Sequence, residues 1–279
     1  MSVWTKVSAV LSAEPDDWSM WAEAFSRHGI EGTVQTDRPP ALSGYLSPGQ
    51  DLKLDALRAE LLNMGAVSIE LEEVEEQDWS EAWKEFFKPR RVGEKFIVRP
   101  TWEEAEIGPG DLEIVLDPGQ AFGTGDHPTT RGCLELIEQA DCAGKSIADI
   151  GCGSGILSVG AGLLGAGELI LVDYDPVCVT SSLENLKRNG VTGEVHEGLG
   201  FQPVAEGKQF DIVLSNIISA ALIRLAPEAA DRIKPGGLWI VSGIIEANWP
   251  DVLTRAQACG FELVETFAEG DWIAATLRR

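Results

Sequence analysis

The second half of the chain alternates short apolar runs with amphipathic stretches, and this alternation limits the fold more than any other feature. The pattern predicts strands in SIADI (146–150), ELILV (168–172), FDIVLS (210–215) and LWIVS (238–242), and helices over 128–140, 155–165, 175–189, 219–233 and 246–259. Continuous apolar strands that alternate with helices are typical of a parallel sheet covered on both faces. The final stretch, FELVETFAEGDWIAATLRR, contains two strand patterns without a helix between them, which predicts a hairpin at the end of that sheet.

The first part of the chain is organised differently. Its patterns predict strands over 3–11, 30–36, 41–46 and 66–74, and helices over 15–29 and 47–65. This β-α-β-β-α-β order is that of a small ferredoxin-like domain. We therefore expect an α/β protein in three parts: a ferredoxin-like domain at 1–74, a linker helix and connector at 75–100, and a catalytic domain at 101–279.

The predicted linker helix carries an aromatic stripe. Its members, Trp79, Trp83, Phe86 and Phe87, have the spacing of side chains that share one helical face. We expect this face to pack on a neighbouring domain. A stripe that binds a partner protein is the alternative.

Charge and composition narrow the class of protein. The chain has 45 acidic and 22 basic residues, a formal net charge of −23. Such a surface repels nucleic-acid phosphates and anionic lipids and suits a basic protein partner, although solubility or a salt-adapted host would explain the charge equally well. No basic region precedes the first apolar run, and the uncharged run 150–167 is filled with glycines. We therefore expect a cytoplasmic protein without a membrane span.

The cysteines and histidines give no sign of a metal site. The five cysteines are scattered without a C-x-x-C pair, and the three histidines, at 28, 127 and 196, lie far apart in the sequence. This usage favours reduced thiols in a cytosolic protein and predicts that no metal is bound.

A glycine-rich turn follows the first strand of the predicted catalytic domain, in IADIGCGSGILSVG. Asp149 precedes Gly151, Gly153 and Gly155, after which a helix begins. Glycines allow a sharp turn and close approach of a ligand, and the helix N-terminus offers free N–H groups. A dinucleotide fingerprint would need glycine where Ile156 stands, and a phosphate loop would need a lysine that the turn lacks.

The next strand ends in a second acid. Asp173 stands where a carboxylate can accept hydrogen bonds from both ribose hydroxyls of an adenine nucleoside, and an ordinary cap at a strand end is the alternative. An acid-rich site with no phosphate to neutralise suits a cofactor that carries an ammonium and a sulfonium. The combination resembles the class I S-adenosylmethionine (AdoMet)-dependent methyltransferases.

The helix after Asp173 has clear ends. Asp175 is a good N-cap and Gly190 a good terminator. Val179, Leu183 and Leu186 form one face of this helix.

The strand FDIVLS is followed directly by an amide side chain, that of Asn216. In the methyltransferase fold, Asn216 would face the reactive methyl, where it can hold the methionine part of AdoMet or accept a hydrogen bond from an amine substrate; a loop cap is the alternative. Adenine and glutamine methyltransferases follow this Asn with Pro-Pro and an aromatic residue. Here Ile217 and Ile218 follow it, so a flipped base would find no stacking platform.

One further stretch, DPGQAFGTGDHPTT (117–130), could be a phosphate loop, a metal site or a loop with a catalytic histidine. Together with IGCGSGIL, LSNI, IKPGG and SGII it resembles the PrmA family, the methyltransferases of large-subunit ribosomal protein eleven. The resemblance extends to QDWSEAWKEFFKPRRVGEKFIVRPTW and to the terminal GDWIAATLRR, and so covers about 75–279. It makes residues 117–130 a lid over the methionine end of the cofactor.

The resemblance implies a set of site residues. The cofactor contacts would come from Asp149, Gly151, Gly153, Gly155, Asp173, Asn216, Thr130, Phe122, Gly123 and Thr124, with Gly125 and His127 in the same loop. Asn216 and His127 are the candidate catalytic residues. Asp126 stands where the family has threonine, which either adds a charge near the cofactor or has no effect because the side chain points to solvent.

The resemblance also implies the substrate and the reaction. The acceptors would be lysine ε-amines and the N-terminal α-amine of a basic ribosomal protein, recognised by the N-terminal domain of a monomer. Methyl transfer is in line, so positioning does most of the catalysis, and the amine must be neutral. His127 is a candidate base on motif grounds, and a structural role is its alternative.

Three other functions stay open on the sequence alone. The same catalytic domain could act on another protein lysine or on a small-molecule amine. A nicotinamide-dependent oxidoreductase is disfavoured by Ile156. A non-enzymatic interaction protein is disfavoured by the intact glycine turn, Asp173 and Asn216.

Overall fold

The structure is a computed structural model that describes residues 3–13, 15, 18–30, 33–37, 40–47, 51–75, 87–117, 123, 125 and 127–279. The chain divides into two compact units, Met1–Phe86 and Phe87–Arg279. Of the predicted aromatic stripe, Trp79, Trp83 and Phe86 lie outside the described residues.

The first unit has the order of elements that the sequence predicts. Its elements are β1 (Val3–Val10), α1 (Ser19–Arg27), β2 (Thr33–Asp37), β3 (Pro40–Leu46), α2 (Asp51–Asn63) and β4 (Ser68–Glu75). The four strands form an antiparallel sheet in the order β2-β3-β1-β4. Phe25 of α1 and Leu57 and Leu61 of α2 are fully buried in the core of this unit.

The second unit begins with a small sheet. β5 (Arg90–Val92) pairs antiparallel with β6 (Phe96–Arg99), and β6 pairs parallel with β7 (Leu112–Val115). Residues 90–99 belong to the stretch predicted as a connector, yet they form two strands whose side chains Phe96 and Val98 are buried in the core of the second unit.

The main sheet has seven strands. They are β8 (Ser146–Ile150), β9 (Glu168–Asp173), β10 (Glu194–Glu197), β11 (Phe210–Asn216), β12 (Ile233–Ile245), β13 (Glu262–Glu269) and β14 (Trp272–Arg278). Their order is β10-β9-β8-β11-β12-β14-β13. The five strands from β10 to β12 are parallel, and β14 is antiparallel to both of its neighbours, so the predicted parallel sheet with a terminal hairpin is confirmed.

Five helices cover this sheet. They are α3 (Pro128–Gln139), α4 (Ile156–Leu163), α5 (Pro176–Arg188), α6 (Ser219–Arg232) and α7 (Trp249–Ala258). A short 3₁₀ turn, Glu246–Asn248, replaces the start of the last predicted helix. The strand β10 was not predicted, because its side chains are exposed or half-buried and its run of four residues lacks an apolar pattern.

The sheet separates two hydrophobic cores. In β11, Ile212 and Leu214 pack with residues of α3, α4 and α5, while Val213 packs with residues of α6 and α7. Successive side chains of a strand point to opposite faces, so both faces need apolar residues. This requirement accounts for the unbroken apolar runs in the sequence.

The glycine-rich run 150–167 lies at the end of β8, in the turn and in α4, which has only eight residues. Within the described ranges, no helix is long and apolar enough to cross a membrane.

We expect Trp239→Ala to lower the free energy of unfolding by about 3–5 kcal/mol, because it empties a large site in a close-packed core. The Trp239 side chain is fully buried, its ring lies 5.1 Å from that of Phe261, and its Nε1 donates to Ser215 Oγ at 3.1 Å. Urea denaturation measures the change. The control Ile107→Ala, at a side chain that is 44% exposed, should change the same quantity by less than about 0.5 kcal/mol. Equal small losses in both variants would contradict the packing described for this core.

Candidate cofactor and catalytic site

The carboxyl ends of β8, β9 and β11 meet at a cavity of about 1100 Å³. In the sheet, β8 lies between β9 and β11, so the strands that follow β8 in the chain are added first on one side of it and then on the other. Such a switch point is where open α/β sheets bind their ligands. Gly151, Gly153, Asp173, Asn216 and Thr130 all line this cavity, so the structure brings five of the predicted residues to one place.

The turn after β8 requires glycine. Gly151, Gly153 and Gly155 have φ values of +79°, +55° and +77°. A Cβ on Gly151 would lie 2.4 Å from Cγ2 of Ile217, and one on Gly155 would lie 3.2 Å from the backbone of Ser182. The turn is therefore packed tightly between the segment after β11 and helix α5.

Two polar side chains of α5 hold the turn in place. Ser182 Oγ donates to the carbonyl of Gly153 at 2.8 Å, and Asn185 Nδ2 donates to that of Ser154 at 2.9 Å. Both side chains are buried. Buried carbonyl groups outside helices and strands need hydrogen-bond donors, and Ser182 and Asn185 supply them here.

The face of α5 formed by Val179, Leu183 and Leu186 is only partly buried. Leu186 is buried, but Leu183 is 49% exposed and Val179 is only half-buried. The buried face contains Ser182 and Asn185 instead. A reading based on apolar residues alone assigns leucine, and not serine, to the buried face of a helix. The signal that was missed is a pair of polar residues three positions apart beside a buried leucine.

Asp173 connects the glycine turn to the start of α5. Its Oδ2 accepts from the Gly153 N–H at 2.9 Å, and its Oδ1 accepts from the Asp175 N–H at 3.0 Å. The side chain is only 6% exposed and lines the cavity. Each carboxylate oxygen has a further lone pair, so the group can also accept hydrogen bonds from a ligand. The predicted cap of α5 is Asp175, whose carboxylate accepts from the Val177 N–H at 2.9 Å.

Asp149 lies behind the turn. Its Oδ2 accepts from Ser158 Oγ of α4 at 2.8 Å, while its buried Oδ1 has no partner within the described part of the chain. Burial, together with the nearby Asp173 carboxylate, raises the pKa of Asp149 to about 7. The described wall of the cavity includes Gly151 and Gly153 but neither Asp149 nor Gly155. These two residues shape and support the turn from behind.

Asn216 presents an unused acceptor at the cavity. Its Nδ2 donates to Thr130 Oγ1 at 3.4 Å, and no partner for its buried Oδ1 is found among the described residues. An unpaired buried oxygen is costly unless a ligand supplies a donor. The ammonium of AdoMet and a substrate amine are both donors of the required kind.

The loop before α3 contacts the glycine turn. Ser154 Oγ donates to the Gly123 carbonyl at 2.7 Å, and a Cβ on Gly125 would lie 2.9 Å from Val98 Cγ1. Gly123 lines the cavity. Among the other predicted residues of this loop, Phe122, Thr124 and Asp126 lie outside the described residues.

His127 is the N-cap of α3. Its Nδ1 lies 3.3 Å from the Thr129 backbone nitrogen and 2.8 Å from Thr129 Oγ1. Its ring meets that of Trp272 edge to face, with ring centres 4.8 Å apart, and both rings line the cavity. Burial and the charge of Arg131 lower the pKa of His127, so the imidazole is neutral at pH 7.

The described ranges contain no group of three His, Cys, Asp or Glu side chains that could hold a metal ion. Cys133, Cys142 and Cys152 are buried free thiols, and Cys178 and Cys259 are half-buried free thiols.

The strand order and the three strand ends define a class of protein. A glycine turn after β8, an acid that ends β9 and an amide that ends β11, all on one cavity, are the parts of a class I methyltransferase. A family model described as ribosomal protein L11 methyltransferase (PrmA) matches residues 17–279. The chain belongs to this family, and it is a methyltransferase.

Named relatives agree with this assignment. The ribosomal protein L11 methyltransferase of Pelotomaculum thermopropionicum is 38% identical over 95% of this chain and 84% of its own length. That of Symbiobacterium thermophilum is 40% identical over 86% of this chain and 83% of its own length. The crystal structure of ribosomal protein L11 methylase from Lactobacillus delbrueckii subsp. bulgaricus superposes on this chain with a TM-score of 0.64 and 26% sequence identity. The match covers 70% of this chain and 98% of that one. The class implies AdoMet as the methyl donor.

The raised pKa of Asp149 leads to a test by pH. The folded protein binds this proton more tightly than the unfolded chain, whose carboxyl keeps its ordinary pKa of 3.8. The stabilisation is therefore complete below pH 3.8 and is lost as the pH rises through about 7. Asp149→Asn cannot ionise, so as the pH rises from about 4 to about 7 we expect the wild type to lose stability relative to Asp149→Asn.

Urea unfolding at several pH values, without cofactor, measures this difference. Asp231→Asn, at an exposed carboxylate of α6, serves as the control and should follow the wild type. A constant difference between wild type and Asp149→Asn over the pH range would show that Asp149 is ionised without cost.

Proposed function

We propose that the protein transfers methyl groups from AdoMet to amines of ribosomal protein L11, namely lysine ε-amines and the N-terminal α-amine. The cofactor part of the proposal rests on one observation: the buried Asp173 carboxylate faces the cavity beside the glycine turn. The substrate part rests on membership of the family and on the names of its relatives.

The residues of the cavity fit AdoMet. Asp173 can accept hydrogen bonds from the two ribose hydroxyls, and the backbone of Gly151 allows a ligand to approach closely. The unpaired Oδ1 of Asn216 suits a positively charged ammonium. When bound, AdoMet supplies a methyl group on a sulfonium, which an amine can attack directly.

The protein must present that amine in its neutral form. A free lysine has a pKa of about 10.4, and transfer to an apolar cleft lowers it. Ile217, Ile218 and Trp272 supply apolar walls at this end of the cavity. An amide oxygen has two lone pairs, so Asn216 Oδ1 can accept from the substrate amine as well as from the ammonium of AdoMet, and so direct the lone pair of the amine at the methyl group. Such positioning is the main contribution of the protein to the rate.

Charge supports a basic protein as the acceptor. A formal net charge of −23 attracts a basic ribosomal protein over a distance and repels RNA phosphates. We assign recognition of the acceptor to the ferredoxin-like unit. We propose further that the protein is a cytoplasmic monomer that makes no direct contact with nucleic acid or membrane.

The first test uses methyl-labelled AdoMet and unmethylated L11, followed by mass spectrometry. We expect the wild type to add mass in multiples of one methyl group. Asp173→Ala should weaken AdoMet binding about a hundredfold and abolish labelling under the same conditions, because it removes an acceptor that carries charge. Asp231→Ala, an exposed acid outside the cavity, should behave as the wild type.

Two results would contradict the proposal in different ways. AdoMet binding without any mass gain in L11 would remove L11 as the acceptor and leave another protein lysine or a small amine. Absence of AdoMet binding would remove the cofactor assignment itself.

A second test separates the two roles of His127. The hydrogen bonds of Nδ1 to Thr129 favour helix capping over proton transfer. Asn is a good N-cap and a poor base, so we expect His127→Asn to keep kcat within about threefold of the wild type from pH 6 to 9. His127→Ala should lower the free energy of unfolding by about 1 kcal/mol. A loss of activity in His127→Asn that deepens as the pH falls toward 6 would instead establish His127 as the base.

A further inference from the structure

The strand ends give the cavity an order from one side to the other. Five residues of its wall mark the ends of five neighbouring strands: Asp173 (β9), Gly151 (after β8), Asn216 (β11), Ile245 (β12) and Trp272 (start of β14). Neighbouring strands are about 4.8 Å apart, so these residues follow one another across the cavity. The proposed function assigns the ends of β9, β8 and β11 to AdoMet, which leaves the ends of β12 and β14 for the acceptor.

Two routes through the fold place Trp272 beside Asn216. On the sheet, Ser242 is the register partner of Asn216, and its Oγ donates at 2.9 Å to the carbonyl of the residue after Trp272. At the start of α3, the ring centres of His127 and Trp272 are 4.8 Å apart. Three residues after His127, Thr130 Oγ1 accepts from Asn216 Nδ2 at 3.4 Å. The indole therefore lies at the end of the cavity where methyl transfer is assigned.

Among the described residues, the wall around Trp272 carries no carboxylate. Asp173 and Asp175 belong to the β9 side of the cavity. Glu228 lies on α6, with its Oε2 3.4 Å from the position of a Cβ on Gly200. The described wall at the ends of β11, β12 and β14 and the start of α3 is neutral at pH 7, and includes His127, Thr130, Asn216, Ile217 and Ile245. A cation that leaves water here finds no counter-charge on this part of the wall.

Direct methyl transfer creates positive charge at this place. As the amine nitrogen forms its bond to the methyl carbon, the carbon–sulfur bond breaks and the positive charge passes from sulfur to nitrogen. A second transfer to the same amine requires that the nitrogen first release a proton to water. The acceptor thus alternates between a cationic and a neutral form, and each added methyl group makes the cation larger and more apolar.

An indole is well suited to such a cation. The face of an aromatic ring attracts positive charge, tryptophan does so best, and methylated ammonium groups are typical ligands of aromatic surfaces. Trp272 is half-buried, lines the cavity and meets the His127 ring at an interplanar angle of 71°. The neutral imidazole thus supports the indole without repelling a cation.

We propose that Trp272 forms a subsite for the methylated ammonium of the acceptor, with His127 as the residue that positions its ring. The inference rests on the proposed function and adds a rule of selection: an amine that already carries a methyl group is bound more tightly than an unmodified one. Repeated transfer to one amine is then favoured over single transfers to several amines. Trp272 acts here as a specificity residue.

The test compares Trp272→Leu with the wild type on two forms of L11. One form is unmethylated, and the other comes from a wild-type reaction stopped after the first methyl groups are added. Loss of the aromatic face should raise the KM for methylated L11 about tenfold and that for unmethylated L11 less than about threefold. In peptide mass spectra, amines with a single methyl group should accumulate. Trp272→Phe keeps an aromatic face and should restore most of the later additions.

Trp249→Leu is the matched control. Trp249 is a half-buried tryptophan of α7 outside the described wall of the cavity, so the same change there should leave the ratio of the two KM values as in the wild type. The Kd for AdoMet should stay within about twofold of the wild-type value in all three variants, since none of them changes the glycine turn or Asp173.

Tetramethylammonium tests the subsite without methyl transfer to it. We expect it to compete with L11 in the wild type, with an inhibition constant about tenfold higher in Trp272→Leu. An unchanged ratio of the two KM values in Trp272→Leu overturns the inference, since the indole would then only shape the cavity. Weakened AdoMet binding in Trp272→Leu also overturns it, because the ring would then serve the cofactor. A wild type that leaves L11 unmethylated overturns the proposed function, and this inference falls with it.

Discussion

The glycine turn after β8 is the constraint on which the site depends. Its backbone is tied to the next strand by the carboxylate of Asp173, to α5 by Ser182 and Asn185, and to the loop before α3 by the hydroxyl of Ser154. The turn, the end of β9, helix α5 and the loop before α3 are thus joined through a few peptide groups. Because positive φ and close contacts exclude larger residues there, the shape of this part of the cavity is set by backbone geometry rather than by adjustable side chains.

Much of this arrangement could be predicted from the sequence. Continuous apolar strands, the glycine turn and the acid or amide at a strand end are local patterns, and each one reflects a local physical requirement. The strand β8 has the predicted bounds, β9 and β11 each run one residue further, and β12 has thirteen residues where five were predicted. The helices α4 to α7 and the terminal hairpin lie within the predicted stretches. The convergence of Gly151, Asp173 and Asn216 followed from the rule that parallel strands end at one edge.

The rest depended on contacts that no local pattern contains. Ser182 and Asn185 face inward only because the turn has carbonyl groups to satisfy, and the periodicity of α5 points to Leu183 instead. The engagement of His127 with Thr129, and the place of Asp149 behind the turn, follow from the packing of α3 and α4. The strand β10 is held by its pairing with β9 and has little apolar character of its own.

Ile245 of β12 and Trp272 of β14 are register partners, and both line the cavity, so the antiparallel end of the sheet supplies part of its wall. One part of the cavity wall comes from the ends of β8 and β9 and the turns that follow them. Another part comes from α6, the end of β12 and Trp272 at the start of β14. The two groups of residues lie on different elements, so substitutions along α6 or at Trp272 leave the glycine turn and Asp173 unchanged. A lineage built on this fold can therefore vary that edge of the cavity without altering the turn.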